Sequence, residues 1–152
     1  PAYQREGGIW AIGTDSHYAS GVAAELRMLE CGQRLAHGRR NVLADPTNPD
    51  ARARRSGERL FALALAGSRS FGEFGAALAP GSRADLVVLD ADSPALVGHD
   101  ATTALDAWLL SGAADAVQHV MCAGAWVVRD GRHVARETIT RAYAGALRKL
   151  FD

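Results

Sequence analysis

The stretch Gly-Ile-Trp-Ala-Ile-Gly-Thr-Asp-Ser-His, residues 8–17, decides the fold class, because an apolar run ends here abruptly in a carboxylate. Consecutive apolar residues predict a buried strand, Ile9–Thr14, of the kind covered on both faces in a parallel α/β sheet. Active sites of such folds lie at the carboxyl ends of strands. Asp15 is therefore the first candidate for chemistry, the alternative being a helix cap or turn former. Ser20 is available as the cap of the next helix, which leaves Asp15 for another role.

The composition limits what this carboxylate acts on. The chain has 152 residues, 48% of them apolar, and its 17 basic side chains balance 17 acidic ones. Zero net charge argues against nucleic acid or an anionic membrane as partner. No apolar run approaches the ~20 residues needed to span a bilayer, and no secretory signal pattern opens the chain, so we expect a cytoplasmic setting. Cys31 and Cys122 lack disulfide or metal spacing and are expected to be small buried hydrophobes.

Helices are predicted to follow the strand. Apolar residues at helical spacing predict a helix from Gly21 to Leu35, in which Glu30 and Arg34 form a favourable i,i+4 pair. Residues 36–55 predict an irregular loop, whose arginines suggest a phosphate or nucleic-acid patch but whose acidic residues and lack of aromatics favour a solvated loop. Ser56 is the predicted N-cap of a helix that is apolar nearly all round, continues to about Phe71 and must be buried.

The composition changes at Pro80-Gly81, where a β layer is predicted to begin. The predicted strands are Ala84–Leu89, Val117–Cys122 and Trp126–Arg129. The predicted hairpin turns are Ala123-Gly124 and Asp130-Gly131. The predicted helices are Thr103–Leu110, ended by Gly112, and a terminal amphipathic helix, Glu137–Leu150.

Neither part is a complete fold by itself. A lone strand such as Ile9–Thr14 cannot satisfy both of its edges without neighbouring strands. A (β/α)₈ barrel needs about 250 residues, so a chain of this length would hold only its last strand and the helices that follow. The chain begins with Pro1 and its first Met is Met28. We therefore expect the tail of a longer polypeptide.

Several motifs resemble the metal-dependent deaminases of the amidohydrolase superfamily. They are the Gly-Thr-Asp-Ser-His strand end, the loop Arg-Arg-Asn-Val-Leu, the run Leu-Phe-Ala-Leu-Ala-Leu-Ala-Gly and, above all, Leu-Ala-Pro-Gly-Ser-Arg-Ala-Asp-Leu-Val-Val-Leu-Asp. The Thr-Asp-Ser-His strand end, the helix Glu-Leu-Arg-Met-Leu-Glu-Cys-Gly-Gln-Arg-Leu, Leu-Asp-Ala-Trp-Leu at 105–109 and Gly-Arg-His at 131–133 resemble formimidoylglutamate deiminase of histidine degradation. The resemblance covers nearly the whole chain.

The resemblance implies an α/β fold, the C-terminal third of such an enzyme. Residues 1–78 would be the last strand and following helices of a (β/α)₈ amidohydrolase barrel. Residues 79–152 would belong to the small composite β-sandwich domain and end in a helix. A homodimer and a small-molecule substrate are implied as well.

The activity that the resemblance implies is zinc-dependent hydrolysis of N-formimidoyl-L-glutamate to N-formyl-L-glutamate and ammonia. Asp15 matches the family's aspartate after the eighth barrel strand, which ligates Zn²⁺ and takes a proton from the attacking water. Ser16 and His17 are candidates for orienting Asp15 or facing the substrate, with backbone capping and a surface position as their respective alternatives. The chain contains no His-x-His pair, so the remaining zinc ligands are expected upstream.

Two other functions stay open. Asp15, as the expected metal ligand, and the Pro-Gly-x-x-Ala-Asp-Leu segment do not determine substrate specificity. One alternative is therefore another aminohydrolase, acting on a purine, pyrimidine or related ring. The second is a non-catalytic chain that only packs or associates. The tryptophans suggest a ligand-stacking box, but each lies in an apolar segment, which favours core packing of Trp10, Trp108 and Trp126.

Overall fold

The computed structural model describes residues 1–16, 18–45, 47–50, 55–68 and 77–151. These residues combine helices with an antiparallel sheet. The helices are α1 (Ala2–Arg5), α2 (Val22–His37), α3 (Ser56–Ser68), α4 (Ala104–Ser111) and α5 (Arg136–Phe151). The strands are β1 (Leu86–Leu89), β2 (Val117–Cys122), β3 (Ala125–Arg129) and β4 (Arg132–His133). A short 3₁₀ helix, Ala114–Ala116, precedes β2.

Contacts within the chain define two compact units. The helical unit contains Pro1–Arg83 and Ala91–Ala116, and the sheet unit contains Ala84–Asp90 and Val117–Asp152. Residues 91–116 therefore pack with the helices, although they follow the predicted composition change at Pro80. The assignment of residues 1–78 to a barrel and 79–152 to a sandwich in a larger protein stays a prediction.

The core of the helical unit lies where α2, α3 and α4 meet. Each helix contributes one fully buried leucine: Leu26, Leu60 and Leu109. Phe61 and Trp108 add an edge-to-face contact between α3 and α4, with ring centroids 6.3 Å apart. This confirms core packing for Trp108, since apolar side chains at helical spacing bury one stripe of each helix.

The N-terminus of α3 is capped from another helix. Ser56, predicted as the N-cap, is instead the first helical residue and is buried. The backbone N–H groups of Gly57 and Glu58 donate to the Asp106 carboxylate of α4, at 3.0 and 3.4 Å. The carboxylate of Asp106 thus accepts hydrogen bonds from the free backbone N–H groups at the start of α3, a role that was predicted for the Ser56 side chain.

The first turn of α2 also differs from expectation. Its N-cap is Gly21, no side chain caps it, and the predicted cap Ser20 lies one residue too early. The helix itself is confirmed, as is the ion pair between Glu30 and Arg34, whose Nε lies 2.8 Å from a Glu30 oxygen. Helix α3 begins one residue earlier than predicted, at Ser56, and its predicted end near Phe71 lies outside the described residues.

The sheet unit is an antiparallel meander in the order β1-β2-β3-β4. Its two tight turns have residue pairs in the left-handed region, with φ of 49° and 82° at Ala123-Gly124 and 49° and 69° at Asp130-Gly131. These angles suit hairpin turns that follow the twist of the strands. The Asp85 carboxylate accepts the Ala123 N–H at 2.7 Å, which ties β1 to the first turn. The predicted hairpins are confirmed.

The terminal helix α5 is confirmed, and its apolar face is open. The predicted face includes Ile139, Tyr143 and Leu150, which are 54%, 64% and 73% exposed. No residue of α5 is buried among the described residues. The free cysteines Cys31 and Cys122 are exposed too, which corrects the expectation that they are buried. Both lie at positions of their helix or strand that no neighbouring side chain covers.

The segment before Asp15 corrects the prediction of a strand over Ile9–Thr14. Residues 9–14 belong to no strand, and the sheet of the described residues is antiparallel rather than parallel. Even-numbered residues from 8 to 14 are half-buried, whereas odd-numbered residues from 9 to 13 are exposed. This is the alternation of a strand with one covered face. A ladder is missing because no described strand lies beside the segment to exchange hydrogen bonds.

Candidate functional site

Asp15 lies in a turn directly after the alternating segment 9–14. Its φ of 42° falls in the left-handed region. Asp and Asn adopt this region more often than most residues, because a short polar side chain can form hydrogen bonds with nearby backbone. The residue is exposed, and among the described residues nothing donates a hydrogen bond to its carboxylate. The turn therefore presents an exposed oxygen donor at the end of the segment.

The neighbours of Asp15 give no further support to the site. Ser16 is exposed and, within the described part of the chain, forms no hydrogen bond with Asp15. His17 lies outside the described residues. The expected roles of both in orienting Asp15 or meeting a substrate remain predictions.

A metal centre requires more ligands than the described residues bring together. Within residues 1–16, 18–45, 47–50, 55–68 and 77–151, no group of three His, Cys, Asp or Glu side chains is placed to hold an ion. His119 instead accepts the Asp130 N–H at 3.2 Å, and His133 accepts the Ala135 N–H at 3.1 Å. Asp15 fits zinc as one carboxylate ligand, and a four-coordinate site would need donors beyond this set.

A groove of about 570 Å³ lies beside the segment that leads to Asp15. It is mostly apolar, and its lining comes from α1, residues 10–13, α2 and Leu43. Met28 and Leu29 of α2 face this groove and are 51% and 36% exposed. Asp15 is not part of the lining. The groove thus marks apolar surface next to the segment rather than a reactive constellation.

The loop after α2 is fixed by a buried carboxylate. Glu30 is fully buried and accepts the backbone N–H groups of Val42 and Leu43 at 3.2 and 3.1 Å, in addition to Arg34. Three donors around one carboxylate offset the cost of burying its charge. The sequence indicated the pair with Arg34 but gave no sign of the loop contacts.

An acidic residue of this loop, Asp45, forms an ion pair with helix α3. Arg59 lies 2.8 Å from the Asp45 carboxylate. The Thr47 hydroxyl and backbone N–H donate to Asp45 and, together with Arg59, hold the pKa of Asp45 below its usual value. Asp45 and Arg59 line a second cleft, of about 530 Å³, with Asn48, Arg55, Glu58 and Ala62. The described lining of this cleft carries both acidic and basic side chains, and the choice between a solvated loop and a phosphate patch stays a prediction.

Three carboxylates therefore make structural contacts that were not predicted from the sequence: Glu30 with Val42 and Leu43, Asp85 with Ala123, and Asp106 with the N-terminus of α3. Asp85 belongs to the segment Pro-Gly-Ser-Arg-Ala-Asp-Leu, and Asp106 belongs to Leu-Asp-Ala-Trp-Leu. Both segments carry the family resemblance. The motifs therefore contained these carboxylates, but their hydrogen-bond partners are 38 and 49 residues away in sequence. Contacts over such distances cannot be inferred from a local pattern.

Comparison with known proteins agrees with that resemblance. The chain is 43% identical over 148 residues to a formimidoylglutamate deiminase of Pseudomonas aeruginosa, a match that covers 97% of this chain and 32% of the relative. A crystal structure of an amidohydrolase from Brucella melitensis superposes with a TM-score of 0.83 at 36% identity, over 99% of this chain and 32% of that one. No family model matches the chain.

The chain thus spans about one third of the length of the relatives that it matches. Those relatives are by name a deiminase and an amidohydrolase, both hydrolases of carbon–nitrogen bonds. The predicted resemblance is confirmed. Among the described residues, no helix is long and apolar enough to cross a membrane.

Proposed function

We propose that this chain is the C-terminal part of a zinc-dependent amidohydrolase that converts N-formimidoyl-L-glutamate and water to N-formyl-L-glutamate and ammonia, a step of histidine degradation. The observation that carries the proposal is the 43% identity to a formimidoylglutamate deiminase across 97% of the chain. An exposed carboxylate at the end of an alternating apolar segment, at Asp15, supports the same assignment.

In this proposal residues 9–14 are the last strand of a (β/α)₈ barrel. The segment alternates in burial like a strand, its odd-numbered residues are exposed, and no described strand pairs with it. Apolar surface such as the groove along α2 would also be covered by other parts of a barrel. The antiparallel sheet and α5 would contribute to a composite sandwich. A homodimer, implied by resemblance alone, is part of the same proposal.

The proposed chemistry needs one group that moves protons. Water adds to the formimidoyl carbon, the carbon–nitrogen bond to the terminal nitrogen breaks, and both water protons end on the departing ammonia. Zinc, when bound, lowers the pKa of the attacking water towards about 7. Asp15 would supply one oxygen ligand, accept a proton from that water and deliver it to the leaving nitrogen. Its exposure and its lack of a hydrogen-bond donor among the described residues keep the carboxylate available for this transfer.

A second candidate is another aminohydrolase, acting on a ring amine such as guanine. The structural match leaves this candidate open, because the Brucella melitensis protein is named only as an amidohydrolase. A chain that associates without catalysis is the third possibility, since the described residues bring no set of metal ligands together.

The test uses the polypeptide encoded by the complete reading frame that contains this chain. Ammonia release is measured with N-formimidoyl-L-glutamate and, in parallel, with guanine and other ring amines, before and after zinc removal by a chelator. We expect turnover of N-formimidoyl-L-glutamate that is lost with zinc and restored by adding it. Preference for a ring amine would select the second candidate, and absence of both turnover and zinc binding would select the third.

A further inference from the structure

Gly67, near the end of α3, is the point where a helix backbone meets the segment that leads to Asp15. The residue is buried. A Cβ added at Gly67 would overlap the Trp10 carbonyl group and would lie 3.0 Å from the Ala11 nitrogen. These neighbours are backbone atoms, which cannot rotate away as a flexible side chain would. Only a residue without a side chain permits this approach.

Glycines in helices other than α3 show no such requirement. A Cβ at Gly32 of α2 or at Gly145 of α5 would meet nothing within 4 Å. Glycine is less favourable than alanine inside a helix, so an alanine at these open positions is expected to be harmless or stabilising. The restriction at Gly67 therefore reflects its contact with residues 10 and 11 and not a general need for glycine in the helices.

The contact matters because few other interactions fix the segment. Residues 9–14 pair with no described strand, and the Tyr3 hydroxyl donates to the Ile9 carbonyl at 2.8 Å. Helix α3 is itself held at its other end, where Gly57 lies against the backbone of Asp106 and a Cβ would come within 2.7 Å of the Asp106 Cα. A helix fixed at that end cannot slide away from a new side chain at residue 67, so the segment must move.

We propose that Gly67 is a positioning residue for Asp15: it lets α3 seat the Trp10–Ala11 peptide and thereby sets where the Asp15 carboxylate lies. The proposal rests on the proposed function, in which Asp15 ligates zinc and moves the proton. Displacement of a catalytic group by about 1 Å can lower a rate about 100-fold. A side chain at Gly67 is therefore expected to lower the rate of the chemical step, because it displaces Asp15, and to leave substrate binding unchanged.

The experiment compares kcat and KM of the complete zinc-loaded polypeptide with those of Gly67→Ala, Asp15→Asn and the double variant, with Gly145→Ala as the matched control. We expect Gly67→Ala to lower kcat by roughly tenfold to 100-fold at a nearly unchanged KM, and Gly145→Ala to leave both unchanged. In the Asp15→Asn background, Gly67→Ala is expected to change kcat by less than about twofold, although the melting temperature still falls. A merely structural role would lower kcat of folded protein equally in both backgrounds, or in neither.

If Gly67→Ala yields no folded protein, Gly57→Ala displaces α3 at its other end and takes its place in the same cycle. An unchanged kcat, or a loss that persists in the Asp15→Asn background, overturns the positioning role while the proposed function stands, provided that Asp15→Asn itself is impaired. Near-normal turnover of Asp15→Asn would overturn both.

Discussion

Residues 9–14 and strand β1 are both short apolar segments, but they are held in place by different parts of the molecule. β1 exchanges backbone hydrogen bonds with β2 in a register that joins Leu86 to Met121. Residues 9–14 have no such ladder and depend on α1 and α3, through Tyr3 and Gly67. The sheet therefore carries its own support, whereas the segment that ends in Asp15 takes its position from helices.

The largest expected effect concerns the 152-residue chain produced by itself. The described residues supply Asp15 but no set of metal ligands, and apolar surface lies open along α2 and α5. We expect no deiminase turnover, weak zinc binding and a tendency to associate. Ammonia-release assays and analytical ultracentrifugation check this. A monomer that binds zinc stoichiometrically and turns over N-formimidoyl-L-glutamate would show that the segment needs no further partners.

Hydrogen exchange on the 152-residue chain tests whether residues 9–14 are held less firmly than the strands of the sheet unit. Amides of residues 9–14 lack ladder partners, whereas those of β2 pair with strands on both sides. We expect the segment to exchange faster by at least roughly two orders of magnitude, because local opening there breaks few hydrogen bonds. Mass spectrometry of peptic peptides measures both regions in one sample. Equal protection would mean that helices hold the segment as firmly as strands hold β2.

Loss of the cap on α3 should weaken the support of the segment. Asp106→Ala removes the acceptor for the N–H groups of Gly57 and Glu58. We expect the free energy of unfolding of the helical unit to fall by about 1–2 kcal/mol, as for other helix caps. Asp115→Ala, at an exposed position of the 3₁₀ helix, is the matched control and should change it little. Denaturant titration monitored by tryptophan fluorescence compares the two, and equal effects would argue against the cap.

The smallest expected effect lies in the sheet unit. Ala123 has φ of 49° in the turn between β2 and β3, a region that costs alanine more than glycine. Ala123→Gly is expected to stabilise the hairpin by about 0.5–1 kcal/mol. Ala125→Gly, two residues later in β3, should destabilise it by a similar amount because glycine weakens a strand. Thermal unfolding of both variants gives the sign, and stabilisation by Ala125→Gly would contradict the account.

Local patterns sufficed where the interaction partners are local. The bounds of β2, Val117–Cys122, agree with the prediction, and α4 ends at Gly112 in the left-handed conformation as expected. The hairpin turns could be predicted because their residue pairs determine the backbone angles. Helices α2 and α5 followed from helical spacing alone.

The predictions were wrong where residues distant in sequence determine the pairing of a segment or the cap of a helix. The apolar run predicted a strand over Ile9–Thr14, but a strand needs a neighbour to pair with and none lies beside these residues in the described part of the chain. Serine before a helix indicates a cap, yet Asp106 caps α3 across 49 residues. For the site, the sequence identified Asp15 at the end of an apolar run, and the structure adds that Asp15 is exposed and that the run alternates between half-buried and exposed residues. The remaining metal ligands could not be predicted, because the chain contains no ligand motif that would supply them.

Asp15→Asn in the complete polypeptide tests the central claim most directly, with zinc content and kcat measured on the same preparation. Asparagine keeps the shape and a weak oxygen ligand but cannot accept the proton. Loss of a general base lowers rates by roughly 10²- to 10⁴-fold, so we expect kcat to collapse while zinc content falls much less. Asp115→Asn serves as an exposed control and should match the wild type. A near-normal kcat for Asp15→Asn, with only a changed melting temperature, would show that Asp15 is a structural turn residue and would contradict this account.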